Sequence, residues 1–133
     1  MCLKVEGKAR FTKSKKEITC YKVLRNHGDN IYSAPYHMML VSLGKEYRTG
    51  AEKMDYKEKN GVTLIKGDAF HSFKKKEDAV ALAAELAKSL RDDDKFTYAV
   101  AECVIPEGNN IIMGLFKEYE GICSDAIKYV KIV

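Results

Sequence analysis

The chain has 133 residues, of which 46% are hydrophobic and 32% are charged, and its formal net charge is +4. This length and composition are typical of one soluble globular domain, so we expect residues 1–133 to form a single domain. The small positive charge disfavours nucleic acid as a partner, because nucleic-acid binders cluster basic residues on one face. The longest apolar stretches fall short of the ~20 residues that cross a bilayer, which excludes a membrane-spanning helix.

The four cysteines, Cys2, Cys20, Cys103 and Cys123, lie far apart and show no Cys-x-x-Cys spacing. This arrangement disfavours a structural zinc site. The first residues also lack an apolar run of signal-peptide length, so we expect a cytoplasmic protein whose cysteines are thiols. Cys20 and Cys103 lie in apolar runs and are predicted to be small core residues.

The first half of the chain carries strand patterns. Residues 17–24 are rich in β-branched and aromatic side chains and precede a turn cluster at 25–30, which predicts a first strand. Residues 31–47 contain Pro35 and Gly44, so only short strands fit there. Asn60-Gly61 is a strong hairpin signal, and it predicts a return strand at 62–65.

The period then changes from that of a strand to that of a helix. Ala79, Leu82, Ala83, Leu86 and Leu90 recur at helical spacing, which predicts one principal helix over residues 75–91. An alanine-rich face of this kind suits close packing on a sheet.

After residue 94 the strand patterns return. Residues 95–106 are a nearly continuous apolar run, typical of a central strand covered on both faces. A turn at 106–110, a strand at 111–116 and an alternating strand near the C-terminus follow. The chain is therefore predicted to be an α+β domain, with a mostly antiparallel sheet and the principal helix packed on one face.

The segment from Gly67 to Phe73 allows two interpretations. In the first it only fastens a strand to the helix, with Ser72 accepting a hydrogen bond from an unpaired N–H at the helix start. In the second, His71 and Ser72 line a cleft at the edge of the sheet, and Glu102 on a later strand converges on them as a third candidate. The weaker site candidates are Arg25, Tyr36 and Tyr119.

Several segments together resemble a group of small uncharacterised proteins of gut bacteria and their phages. The segments are the Tyr-Lys-Val-Leu strand at 21–24, the Phe-His-Ser-Phe corner at 70–73, the Ile-Pro-x-Gly turn at 105–108 and the closing strand after a short Gly and Ser segment. The resemblance covers nearly the whole chain. It implies a shared fold module and a bacterial or phage-related origin, and no particular chemistry.

A more distant resemblance is to ADP-ribosyltransferases, which use an arginine on an opening strand, a Ser-Thr-Ser strand and a late glutamate. The matching positions are Arg25, Ser72 and Glu102. Arg25 stands at the end of its strand, Ser72 is not followed by Thr-Ser, and Glu102 lacks the preceding Glu or Gln. These departures put the positioning of NAD in doubt.

These patterns favour a binding or interaction module over an enzyme. Phosphate-binding glycine loops and metal-ligand spacings are missing from the sequence, so no cofactor and no metal are expected. We expect an unknown protein or small-molecule partner and no membrane. The alternative is an enzyme acting on a nucleotide or another small substrate, possible only if His71, Ser72 and Glu102 converge.

Overall fold

The computed structural model describes residues 3–6, 11–35, 39–49, 54–67 and 69–133. In chain order the elements are β1 (Leu3–Glu6), β2 (Thr12–Lys13), β3 (Ile18–Asn26), β4 (Tyr32–Ser33), β5 (Leu40–Val41), β6 (Glu46–Arg48), β7 (Met54–Lys59), β8 (Val62–Gly67), β9 (Phe70–Phe73), α1 (Lys76–Ala87), β10 (Thr97–Ile105), β11 (Asn110–Phe116), β12 (Tyr119–Ser124) and β13 (Ala126–Ile132).

The strands of the described residues form one antiparallel sheet. Its main path runs β6-β13-β10-β3-β9-β12-β11-β1-β8-β7, while β2 pairs with β11 and β4 joins β3 to β5. The helix α1 packs against β3, β9 and β10. The predicted mostly antiparallel sheet with a helix packed on it is therefore confirmed, and the sheet dominates the described chain more than the α+β label suggests.

The predicted hairpin at Asn60-Gly61 is confirmed. Lys59 pairs with Val62 across the two-residue turn. Asn60 and Gly61 both have positive φ values, 54° and 75°, as a type I′ turn requires. The turn closes the outermost hairpin of the main path, β7 with β8.

The helix α1 begins at Lys76 and ends at Ala87, so the predicted end at residue 91 was wrong. The N–H groups of Lys88 and Ser89 bond to carbonyls three residues earlier, which tightens the last turn and stops the α-helical ladder. Extending the helix would also bring the acidic residues 92–94 to the negative end of its dipole. None of the helical segments in the described ranges is long and apolar enough to cross a membrane.

The sheet separates two clusters of buried side chains. On β3 and β10, Val23 and Val100 lie beneath α1, on what we call the helix face. Cys20, Leu24 and Cys103 point to the opposite side, the far face. Successive residues of a strand alternate between faces, so a strand buried on both sides needs a continuous apolar run. The prediction of β10 as a central, doubly covered strand is confirmed.

One lysine lies inside the sheet where β3 and β9 diverge. The two strands pair only at Tyr21 and Phe73, and the end of β3 pairs instead with β4. Lys22 follows this point, is 8% exposed, and donates a hydrogen bond from Nζ to the His71 carbonyl at 2.7 Å. Among the described residues no carboxylate lies within ion-pair distance of it. Burial lowers the pKa of Lys22.

Candidate functional site

His71 lies on β9, a central strand between β3 and β12, and not at the edge of the sheet. Its ring nitrogens face two backbone carbonyls, Nδ1 at 2.9 Å from the Ala69 oxygen and Nε2 at 3.1 Å from the Ile65 oxygen. The ring also packs against Phe116, with 5.4 Å between ring centroids. His71 therefore ties the end of β8 to the start of β9.

The pKa of His71 reflects this enclosed position. Burial lowers it, the charge of Lys22 acts in the same direction, and the carbonyls of Ile65 and Ala69 oppose the shift without cancelling it. A neutral imidazole has one N–H, so it donates to only one of the two carbonyls. Both ring nitrogens face backbone carbonyls of the protein itself, so neither is directed at a ligand.

Ser72 points to the far face, away from His71, because neighbouring strand residues alternate. Its Oγ donates to the Ile122 carbonyl at 3.3 Å, and the residue is 1% exposed. The helix N-cap is Lys75, which makes no side-chain capping bond. The prediction that Ser72 caps the helix was therefore wrong.

Glu102 lies on β10 opposite Tyr21 of β3. Its Oε2 is 3.9 Å from Lys131 Nζ, an ion pair at the protein surface. β3 runs between β10 and β9, so a whole strand separates Glu102 from His71. The structure does not bring His71, Ser72 and Glu102 together, and each has its own partner elsewhere.

The weaker candidates are also separated. The guanidinium of Arg25 lies over the Phe96 ring in a cation–π contact, with Cζ 4.6 Å from the ring centre. Tyr119 is half-buried and packs edge-on against Phe73 of the core, with 5.9 Å between centroids. Tyr36 lies outside the described residues. The three positions matched to ADP-ribosyltransferases, Arg25, Ser72 and Glu102, do not meet, because Ser72 faces the opposite side of the sheet.

A different set of described residues combines exposed apolar side chains with a cation. Strand register places Arg25 of β3 opposite Ser33 of β4, and Ser33 opposite Leu40 of β5. The His27 ring lies over the same face, with Nε2 2.7 Å from Ser33 Oγ. We call this surface the hairpin face and define it as Arg25, His27, Ile31, Leu40 and Phe96.

Two apolar side chains of the hairpin face are largely in solvent. Leu40 is 67% exposed and Ile31 is 48% exposed. Ile31 immediately precedes β4, and its carbonyl accepts a hydrogen bond from the His27 N–H at 2.9 Å, which places it beside His27. The only sequence signal for this surface is that apolar residues, Ile31 and Leu40, occur before and after Pro35. That signal does not distinguish exposed positions from buried ones, because the neighbouring Tyr32 and Val41 are core residues.

A groove opens beside the hairpin face. It has a volume of about 330 Å³ and is lined by the turn after β3, residues 26–28, and by the loop before β10, residues 94–97. Phe96 forms part of its wall, and the Phe96 ring also contacts His27 and Tyr98, at 6.0 Å and 5.6 Å between centroids. The groove adds a concave element to an otherwise open surface.

Comparisons assign no family to this arrangement. No protein-family model matches the sequence, and neither the curated proteins nor the solved structures gave a match. Within the described ranges no group of three or more His, Cys, Asp or Glu side chains is arranged to hold a metal ion.

Proposed function

We propose that the chain is a non-enzymatic interaction module, cytoplasmic and of bacterial or phage-related origin, that binds a protein partner through the hairpin face. The observation that carries the proposal is the exposure of Leu40 and Ile31 next to the stacked Arg25 and Phe96. The origin is supported only by the sequence resemblance. The location is supported by the wide spacing of the cysteines.

The composition of the hairpin face favours a protein partner. Protein interfaces are enriched in aromatic residues and arginine around an apolar centre, and exposed apolar patches mark such sites. A second exposed apolar pair, Met113 and Leu115 on β11, lines a groove of about 310 Å³. That groove also contains Lys74 and Glu120, whose charged ends are 4.0 Å apart and compensate each other. At the hairpin face, the guanidinium of Arg25 lies over the Phe96 ring, with Cζ 4.6 Å from the ring centre.

The charges around the hairpin face indicate the chemistry of the partner. Arg25 and Lys95 are cationic, and Lys95 lines the groove, which favours a carboxylate on the partner beside an apolar side chain. Asp94 also lies at the groove, but its Oδ2 accepts a hydrogen bond from the Arg91 backbone N–H. We therefore propose that the partner presents a short segment combining an acidic residue with a large apolar one.

A selection from random peptides displayed on phage tests this proposal. The wild-type protein should enrich peptides that share an acidic and an apolar residue, and a synthetic peptide of that kind should bind in solution. The double variant Ile31→Ser, Leu40→Ser should lose at least about tenfold in affinity, equivalent to 1.4 kcal/mol. The matched control Met113→Ser, Leu115→Ser should bind as the wild type does. Equal losses of affinity in both variants, or no enrichment of any peptide, would contradict the proposal. If the protein enriches no peptide but binds single-stranded nucleic acid, the proposed protein partner is replaced by nucleic acid.

A further inference from the structure

Two thiols face each other across the two central strands of the sheet. Cys20 of β3 and Cys103 of β10 are direct partners in the antiparallel register. Both belong to the far face, both are 0% exposed, and both are reduced. Directly opposed residues in antiparallel strands have Cα atoms about 4.5–5.5 Å apart, which falls within the range found in disulfides. A bond between them therefore needs no large backbone movement.

The surroundings make one thiol the better nucleophile. The neighbouring Cys103 thiol lowers the pKa of Cys20; burial opposes this effect, while Ser72 and the charge of Lys22 reinforce it. The same contact, together with burial, raises the pKa of Cys103, whose Sγ donates to the Ala101 carbonyl at 3.7 Å. The thiolate is the reactive form of cysteine, so oxidation should begin at Cys20.

The ladder beside Cys103 is irregular. The pairing of β10 with β13 shifts register between Glu102 and Cys103, so that Glu102 faces Lys131 while Cys103 faces Tyr129. Such an irregularity leaves one residue, Val130, out of the ladder and weakens it locally. Transient opening at this point would admit an oxidant as small as hydrogen peroxide to the thiol pair.

We infer that Cys20 and Cys103 form a redox couple that closes to a disulfide when the folded protein meets a hydroperoxide. The Cys20 sulfur attacks one peroxide oxygen, the O–O bond breaks, and Cys20 becomes a sulfenic acid as one water leaves. The Cys103 sulfur then attacks the Cys20 sulfur, the S–O bond breaks, and the second water carries away the Cys103 proton. Two thiols lose two electrons, and one hydrogen peroxide is reduced to two waters.

The disulfide would clamp β3 to β10, the two central strands on which the helix face and the far face are both built. It would close a long loop of the chain, the situation in which a cross-link restricts the unfolded state most. The inference does not depend on the hairpin face, and its test uses no binding partner.

Peptide mapping can identify the bond directly, because trypsin separates the four cysteines. Cleavage after lysine leaves Cys20 in residues 17–22, Cys103 in 96–117, Cys123 in 118–128 and Cys2 in 1–4. Fully reduced, folded protein is treated with hydrogen peroxide, alkylated in denaturant, digested and analysed by mass spectrometry. We expect a linked pair of peptides 17–22 and 96–117, reversible by dithiothreitol, and a melting temperature raised by more than about 5 °C in the oxidised protein.

Variants separate the couple from incidental thiol oxidation. Cys123→Ser should keep the link between Cys20 and Cys103, and Cys103→Ala should abolish it. If the Cys103→Ala variant fails to fold, the wild-type peptide map alone still decides. A link that involves Cys2 or Cys123, a sulfinic acid on Cys20 without any link, or unchanged thiols after prolonged exposure would overturn the inference.

Discussion

Replacing Lys22 by methionine should stabilise the protein near neutral pH and lose that advantage in alkali. The side chain is 8% exposed, and its amine has the His71 carbonyl as its hydrogen-bond acceptor. Burial lowers the pKa of Lys22 below its usual 10.5, so the unfolded chain binds the lysine proton more readily than the folded chain between those two values. The free energy of unfolding therefore rises as pH increases through that interval, up to about 10.5.

The size of the effect follows from two opposing contributions. The folded protein can bury the neutral amine of Lys22 instead of the charged one, and this sets an upper limit on the cost of burial. Removing the proton costs about 1.4 kcal/mol for each pH unit below 10.5, so the limit at pH 7 is about 5 kcal/mol. Methionine removes this cost and fills similar space, but it leaves the His71 carbonyl without its donor, at about 1–3 kcal/mol. We expect Lys22→Met to gain about 1–3 kcal/mol at pH 7 and to lose about 1–3 kcal/mol near pH 10.5, where only the missing hydrogen bond remains.

Urea unfolding at pH 7 and pH 10, with a reductant present, measures both values for each variant. Lys128→Met on β13 is the matched control, because Lys128 is an exposed lysine of the same sheet; its effect should stay within about 0.5 kcal/mol at both pH values. A Lys22→Met variant that is less stable than the wild type at pH 7, or that differs by the same amount at both pH values, would show that burial of the Lys22 charge does not destabilise the fold.

Three further predictions concern the core. The Tyr129 hydroxyl is buried and has no hydrogen-bond partner among the described residues. Calorimetry should therefore find Tyr129→Phe stabilised by about 1 kcal/mol, whereas Tyr47→Phe, which removes the acceptor of the Ser42 N–H at 2.8 Å, should lose about 1 kcal/mol. Leu82→Ala should lose about 2–4 kcal/mol in urea unfolding, because Leu82 is on the buried side of α1. Val80→Ala on the exposed side should lose less than about 0.5 kcal/mol, and equal losses would mean that the buried side of the helix is wrongly assigned. Burial lowers the pKa of His71 below 6.5, so the unfolded chain takes up a proton first as the pH falls. The free energy of unfolding should therefore decrease as the pH drops below about 6.5. His71→Gln should flatten this part of the stability curve, and an unchanged curve would count against a buried neutral His71.

The sequence predicts best where local chemistry alone decides the structure. The Asn60-Gly61 turn requires positive φ at both positions, which few other residue pairs tolerate, and the hairpin forms as predicted. The apolar run of β10 likewise places buried residues on both faces of the sheet. The helix end was harder to predict, since the periodic apolar pattern continues to Leu90 while the α-helical ladder stops at Ala87.

The site could not be predicted in the same way, because strand order is set by distant contacts. His71 was expected at an edge, but β9 pairs with β12, which is formed by residues some fifty positions later in the chain. The same pairing turns Ser72 towards the far face. Nothing in the local sequence indicates that Leu40 is exposed while Val41 is buried. The burial of each side chain depends on how β4 and β5 pair with the end of β3.

The most direct test of the proposed function is a map of the bound peptide on the protein. Backbone amide shifts are recorded by NMR while a peptide from the display selection is titrated into the wild-type protein. The largest shifts should fall at residues 25–33, 40–41 and 95–98, around the hairpin face. Shifts centred on Met113 and Leu115, or shifts spread evenly over the sheet, would contradict it.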